Sequence, residues 1–122
     1  MTRMFVLATA PVAEATSVWF RGAISQGRLV RPSTLWLSAD GTLVVRQVHW
    51  SQWGGRVAIG RGTAEYHGCT PQCGTAPIHH AGVTVHLYGI RDCGGQNYYN
   101  RAAVITFQGK KLSPRYQHWA PC

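Results

Sequence analysis

The chain is poor in acid. Of its 122 residues only four are Asp or Glu, against twelve Lys or Arg, and charged residues of both kinds make up just 13%. One catalytic scheme loses its raw material at once. Glycoside cleavage by a pair of carboxylates needs two acids in one cleft, and Glu14, Asp40, Glu65 and Asp92 are the whole supply. Long apolar runs are missing too. A membrane-spanning helix takes about 20 such residues, and no stretch approaches that length. Helical periodicity does not hold over ten residues anywhere, and no Gly-x-Ser-x-Gly, His-Glu-x-x-His, P-loop or dinucleotide fingerprint occurs. The low charge, together with five Trp, five Tyr and three Phe, excludes a disordered tail and implies a packed core.

What is present is strand sequence punctuated by glycine. Ser33 to Ser38 reads as a strand, Asp40-Gly41 as a tight hairpin turn, and Thr42 to Trp50 as the next strand, broken after Trp53 by Gly54-Gly55. Between Arg56 and Tyr66 the chain alternates. Val57, Ile59, Arg61, Thr63 and Glu65 share one face, and Ala58, Gly60, Gly62, Ala64 and Tyr66 the other. That small-residue face lets another strand or an aromatic ring come close, or marks a bulge or a barrel corner. Val83, Val85 and Leu87 alternate with Thr84, His86 and Tyr88 in the pattern of a half-buried antiparallel strand over 83–90. Arg91 to Asn97 reads as a turn, Tyr98 to Phe107 as a strand, and Gln108 to Lys111 as a further turn. The fold class expected is all-β, a single small antiparallel sandwich or barrel-like domain.

The N-terminus has the marks of an export signal. Arg3 supplies positive charge, Met4 to Val12 a short apolar run, and Ala13-Glu14-Ala15 a small-x-small cleavage pattern. Residues 1–15 are therefore expected to be a short or truncated signal segment, and 16–122 a single β domain delivered outside the cell. An even number of cysteines in a small exported domain points to disulfides. Cys69 with Cys73 and Cys93 with Cys122 is the favoured pairing; the two crossed pairings stay open. Closing the short loop constrains the unfolded chain by about 2 kcal/mol. Zinc is the rival reading of Cys69, Cys73, His79 and His80, with His67 nearby. Adjacent histidines cannot both turn to one ion, whereas structural zinc sites space theirs three to five apart. No metal and no cofactor is expected.

The formal charge of +8 draws the chain towards polyanions, such as nucleic acid, anionic head groups or wall polymers. The aromatics suggest where contact is made. Trp50 and Trp53, flanked by Arg46 and Arg56, are placed to form a platform for sugar rings or bases, and Tyr98 and Tyr99 beside Arg101 offer a smaller one. For catalysis, Glu65 is the acid not already explained by a turn or the leader. With His67 or His86, or with His118, it is the candidate acid–base partner for RNA cleavage. Three functions follow in order. They are a binding protein for an anionic polymer or glycan, a small basic hydrolase of nuclease type, and a structural or inhibitory protein whose aromatic edge meets another protein. The residues favour binding over catalysis.

Asp40-Gly41, Trp50 to Gly54, Ala58 to Gly62, Cys69 to Cys73, and Cys93 with Tyr98-Tyr99 together resemble a group of small secreted actinobacterial proteins with a Trp-x-x-Trp-Gly and Cys-x-Pro-x-Cys pattern. The resemblance covers residues 33 to 107. It implies export and disulfides, and it assigns no catalytic residues.

Overall fold

The computed structural model describes residues 18–22, 27–38, 41–67 and 77–112. The leader, Asp40, the loop holding Cys69 and Cys73, and the tail with His118 and Cys122 lie outside them. The described residues are all β, with no helix. Four long strands form a meander: β3 (Leu43–Gln52), β4 (Ala58–His67), β5 (Ile78–Cys93) and β6 (Gln96–Thr106). Three two-residue strands complete the sheet: β1 (Val18–Trp19), β2 (Leu35–Trp36) and β7 (Lys111–Leu112). Their spatial order is β1-β6-β5-β4-β3-β2, and β7 pairs with β6 as well. β1 runs parallel to β6 at Asn97 and Tyr98, whereas β7 joins the same strand antiparallel at Val104 and Ile105. The sheet is thus mixed and curls into a half-barrel, where a purely antiparallel sandwich or barrel was expected.

The alternation in β4 and β5 places the core. Ala58, Gly60, Gly62 and Ala64 pair in register with Leu87, Val85, Val83 and Ala81, and β5 in turn sets Val83, Val85 and Leu87 opposite Thr106, Val104 and Ala102. These positions form the inner face. Phe20, Leu35, Leu37 and Trp53 fill the hollow above it, all within 5% of full burial. Each large apolar side chain so buried contributes about 1.5–3 kcal/mol.

β3 keeps its apolar residues on this face only by breaking step. Arg46 pairs with Thr63 but His49 with Arg61, so three residues of β3 span two of β4. The bulge is centred on Gln47, whose φ of 56° lies in the left-handed region. Before it, Leu43 and Val45 point inward; after it, Val48 and Trp50 do. The bulge fits because β4 is small there. A Cβ on Gly60 would lie 2.8 Å from the Trp50 ring and from Val48, and one on Gly62 would lie 2.6 Å from the Arg46 carbonyl oxygen.

Turn chemistry fixes the hairpins. Ser38, fully buried, accepts the Leu43 amide on Oγ at 2.9 Å and shapes the β2–β3 turn, in which Gly41 has φ +76°. At the β5–β6 hairpin only Gly94 and Gly95 leave the ladder, both with positive φ, and the Asp92 carboxylate accepts the Gly95 amide at 2.8 Å. The loop read over 91–97 is therefore two residues long. β5 also starts earlier than expected. Ile78, His79 and His80 pair with His67, Tyr66 and Glu65, because a strand partner outweighs the poor strand preference of His-His-Ala-Gly.

Two substitutions test the bulge by urea unfolding. Gln47→Gly is expected to stabilise by about 1 kcal/mol, since glycine adopts left-handed φ without the Cβ clash. Gly62→Ala is expected to destabilise by about 1–3 kcal/mol, because backbone rather than a flexible side chain must yield.

Candidate functional site

The aromatic residues picked out as a platform are brought together, but inside the molecule. Trp50 and Trp53 meet edge to face with centroids 4.8 Å apart, and Trp53 meets Tyr99 in the same way at 5.3 Å. Each indole N–H donates to a backbone carbonyl, Trp50 to Pro32 at 2.8 Å and Trp53 to Val18 at 3.0 Å. Tyr99 is fully buried, and Trp53 and Tyr98 nearly so. Trp53, Tyr98 and Tyr99 are core, and they present no open ring to a ligand. For Trp50 the cause is the bulge. Strict alternation from Val44 would put Trp50 outside, and the extra residue turns it in. Arg56 is exposed on the β3–β4 connection.

The outer face of the sheet carries the charge instead. Arg46 and His49 on β3, Arg61 on β4, His80 and His86 on β5, and Lys111 on β7 all lie at outward positions of the ladder. Among the described residues Glu65 is the one carboxylate on this face. It accepts from Arg46 Nε at 3.0 Å and lies 3.9 Å from His80 Nε2. Arg46 also stands over the Trp36 ring, 5.8 Å from its centroid. Arg61 has no carboxylate within reach among the described residues. Its guanidinium lies 5.7 Å from the centroid of Phe107. Phe107 lies across Gly82, where a Cβ would come within 2.5 Å of the ring, and it is 59% exposed. His49 faces Arg61 across the ladder. These three, with Ser33 and Thr63, line an open depression of about 550 Å³. Cations beside an exposed aromatic ring suit phosphate, sulfate or carboxylate groups carried on a sugar or base.

The acid–base candidates separate. Glu65 faces His80, whereas His86 faces Ile59, six residues further along β4, a distance of about 20 Å. His67 is one strand position beyond Tyr66, and its Nδ1 is shielded from solvent without a hydrogen-bond partner among the described residues. The pair that does form, Glu65 with His80, was not singled out from the sequence, and nor were Arg61, His49 and Phe107. The alternation of β4 already put Arg61 and Glu65 on one polar face; the cross-strand neighbours were the missing information. His79 and His80 alternate across β5, with His79 inward beside Tyr66 and His80 outward. Among the described residues no three His, Cys, Asp or Glu side chains are grouped to hold a metal ion.

Tyr99 links the core to the turn below this face. Its hydroxyl donates to the Gly55 carbonyl at 2.6 Å and accepts the Gly54 amide at 2.9 Å. Burial raises its pKa above the ordinary 10.0, and the Gly54 amide partly offsets this. A folded value above the unfolded one means that the stabilisation is complete below pH 10 and fades as pH rises past it. Tyr99→Phe is expected to cost about 1–3 kcal/mol at neutral pH by stranding both turn groups, and to flatten the alkaline fall in a pH series of urea midpoints.

No family model, no curated protein and no solved structure matches this chain.

Proposed function

We propose that the chain is an exported, disulfide-stabilised β domain that binds an anionic polymer, such as an acidic glycan, at or beyond the cell surface. The outer face of the sheet is the binding surface. The observation that carries this reading is Arg61. It is an exposed cation with no carboxylate in reach among the described residues, set between His49 and the open ring of Phe107. The net charge of +8 adds a long-range attraction for polyanions. Export and the disulfide framework are supported by the leader-like N-terminus, by the even cysteine count and by the absence of a free thiol among the described residues. The resemblance to small secreted actinobacterial proteins points the same way.

A second reading, an RNA-cleaving hydrolase, draws on the Glu65–His80 approach of 3.9 Å. The Arg46 ion pair holds Glu65 as a carboxylate partner at the same time, which favours a charged surface over a free general base.

Dextran sulfate and uncharged dextran columns separate the possibilities. Retention on the sulfated polymer is expected to fall steeply with added salt, and removing Arg61 and His49 by substitution to Ser should reduce the logarithmic salt slope by about one per lost phosphate- or sulfate-type contact. Equal, salt-insensitive retention on uncharged dextran would sink the charge-based reading. RNA cleavage that vanishes in Glu65→Gln would establish the second reading in its place.

A further inference from the structure

A different cavity opens at one end of the half-barrel, where the start of β3, the end of β4, the start of β5 and β7 converge. Its volume is about 440 Å³, within the range of about 300–1,000 Å³ in which small-molecule sites fall. The floor is apolar, made by the buried side chains of Leu43 and Leu112. One wall is aromatic: the Tyr66 and His79 rings lie 5.3 Å apart, tilted by 33°. The rim is cationic, with Lys110 and Lys111. The Lys110 ammonium stands 5.5 Å from the Tyr66 centroid, so the charge is already held over the ring.

Two further features separate this cavity from a chance gap between strands. His67 lines it, with its Nδ1 shielded from solvent and without a hydrogen-bond partner among the described residues, although the His67 amide donates to the Thr42 carbonyl at 3.1 Å. A buried polar atom left unpaired is destabilising, and a ligand atom that pairs with it removes that penalty. The second feature is the absence of acid. No described residue of the lining is a carboxylate, and Glu65, next to Tyr66 in sequence, points to the opposite face, where Arg46 holds it.

We infer that this cavity is a binding site for a small phosphorylated ring compound of nucleoside monophosphate size. The ring lies on the apolar floor against Tyr66 and His79. The phosphate takes charge-assisted hydrogen bonds from Lys110 and Lys111, for which a flexible ammonium is well suited. His67 turns its unpaired Nδ1 from this shielded position to a polar atom of the ligand between the two. This site shares no lining residue with the depression around Arg61 proposed for polymer binding and stands independently of that proposal.

Titration calorimetry with uridine 5′-monophosphate, inorganic phosphate and uridine separates the contributions. The nucleotide is expected to bind more tightly than either fragment. Lys110→Ser, an exposed position, should weaken it by about tenfold, as loss of a hydrogen bond to a charged group does. His79→Ala should weaken uridine-containing ligands and leave phosphate unchanged. Lys110→Ser should also leave salt-dependent retention on dextran sulfate largely intact, which keeps the two sites distinguishable. Nucleotide binding that is undetectable, or that survives Lys110→Ser and is lost in Arg61→Ser, overturns the assignment. Equal affinity for phosphate and nucleotide removes the ring-binding part and with it the ligand class.

Discussion

The closeness of β3 to β4 is the constraint on which the rest of the structure depends. Gly60 and Gly62 have no side chains to hold β3 away, so the Trp50 ring and the Arg46 carbonyl come to distances that any Cβ would forbid. That approach accommodates the bulge at Gln47, and the bulge turns Val48 and Trp50 into the hollow while moving His49 out. A flat sheet with large residues on β4 would have no room for these rings. The curl, the aromatic core and the polar outer face are consequences of one small-residue stripe.

From that division follows the electrostatic character of the two surfaces. The centre of the inner face is filled by apolar side chains and leaves charge no place. The cations of the four long strands are therefore collected on the outside, where one carboxylate, Glu65, is spent on Arg46. The acid-poor composition then acts locally. With no second acid on that face among the described residues, Arg61 is offset by nothing except the quadrupole of Phe107, an interaction that leaves the positive charge available to an incoming anion.

Much of the fold was legible in the sequence and the site was much less so, and the bulge explains both. Alternation in 57–66 and 83–88 identified the strands and their faces, because small residues in the first and aliphatic residues in the second recur at every other position. The same logic applied to Leu-Val-Val-Arg-Gln-Val-His-Trp puts Trp50 outside beside Arg46, as a platform residue. One left-handed residue inverts that assignment, and Gln47 carries no sequence mark of it, since left-handed φ is ordinarily the province of glycine. The pairing of His79 and His80 with β4 was hidden for a similar reason. Their strand is imposed by a neighbour twelve or more residues away, not by local preference. The neighbours that make Arg61 distinctive, His49 on β3 and Phe107 in the turn after β6, become visible only with the register.

The histidines show how far register changes meaning. Read along the chain, His67, His79 and His80 flank the cysteine loop and form one cluster. In the ladder they are dispersed: His80 goes to the outer face beside Glu65, His79 to the inner face against Tyr66, and His67 to the end of β4, paired with Ile78. A strand sends adjacent residues to opposite faces, so the two adjacent side chains cannot share an ion, and each takes its character from the strand beside it. His80 belongs to a surface whose surplus charge faces solvent, and His79 to a wall whose partner is a tyrosine ring. The same short run of sequence thus serves two chemically distinct regions, and the pairing of β5 with β4 is what divides it.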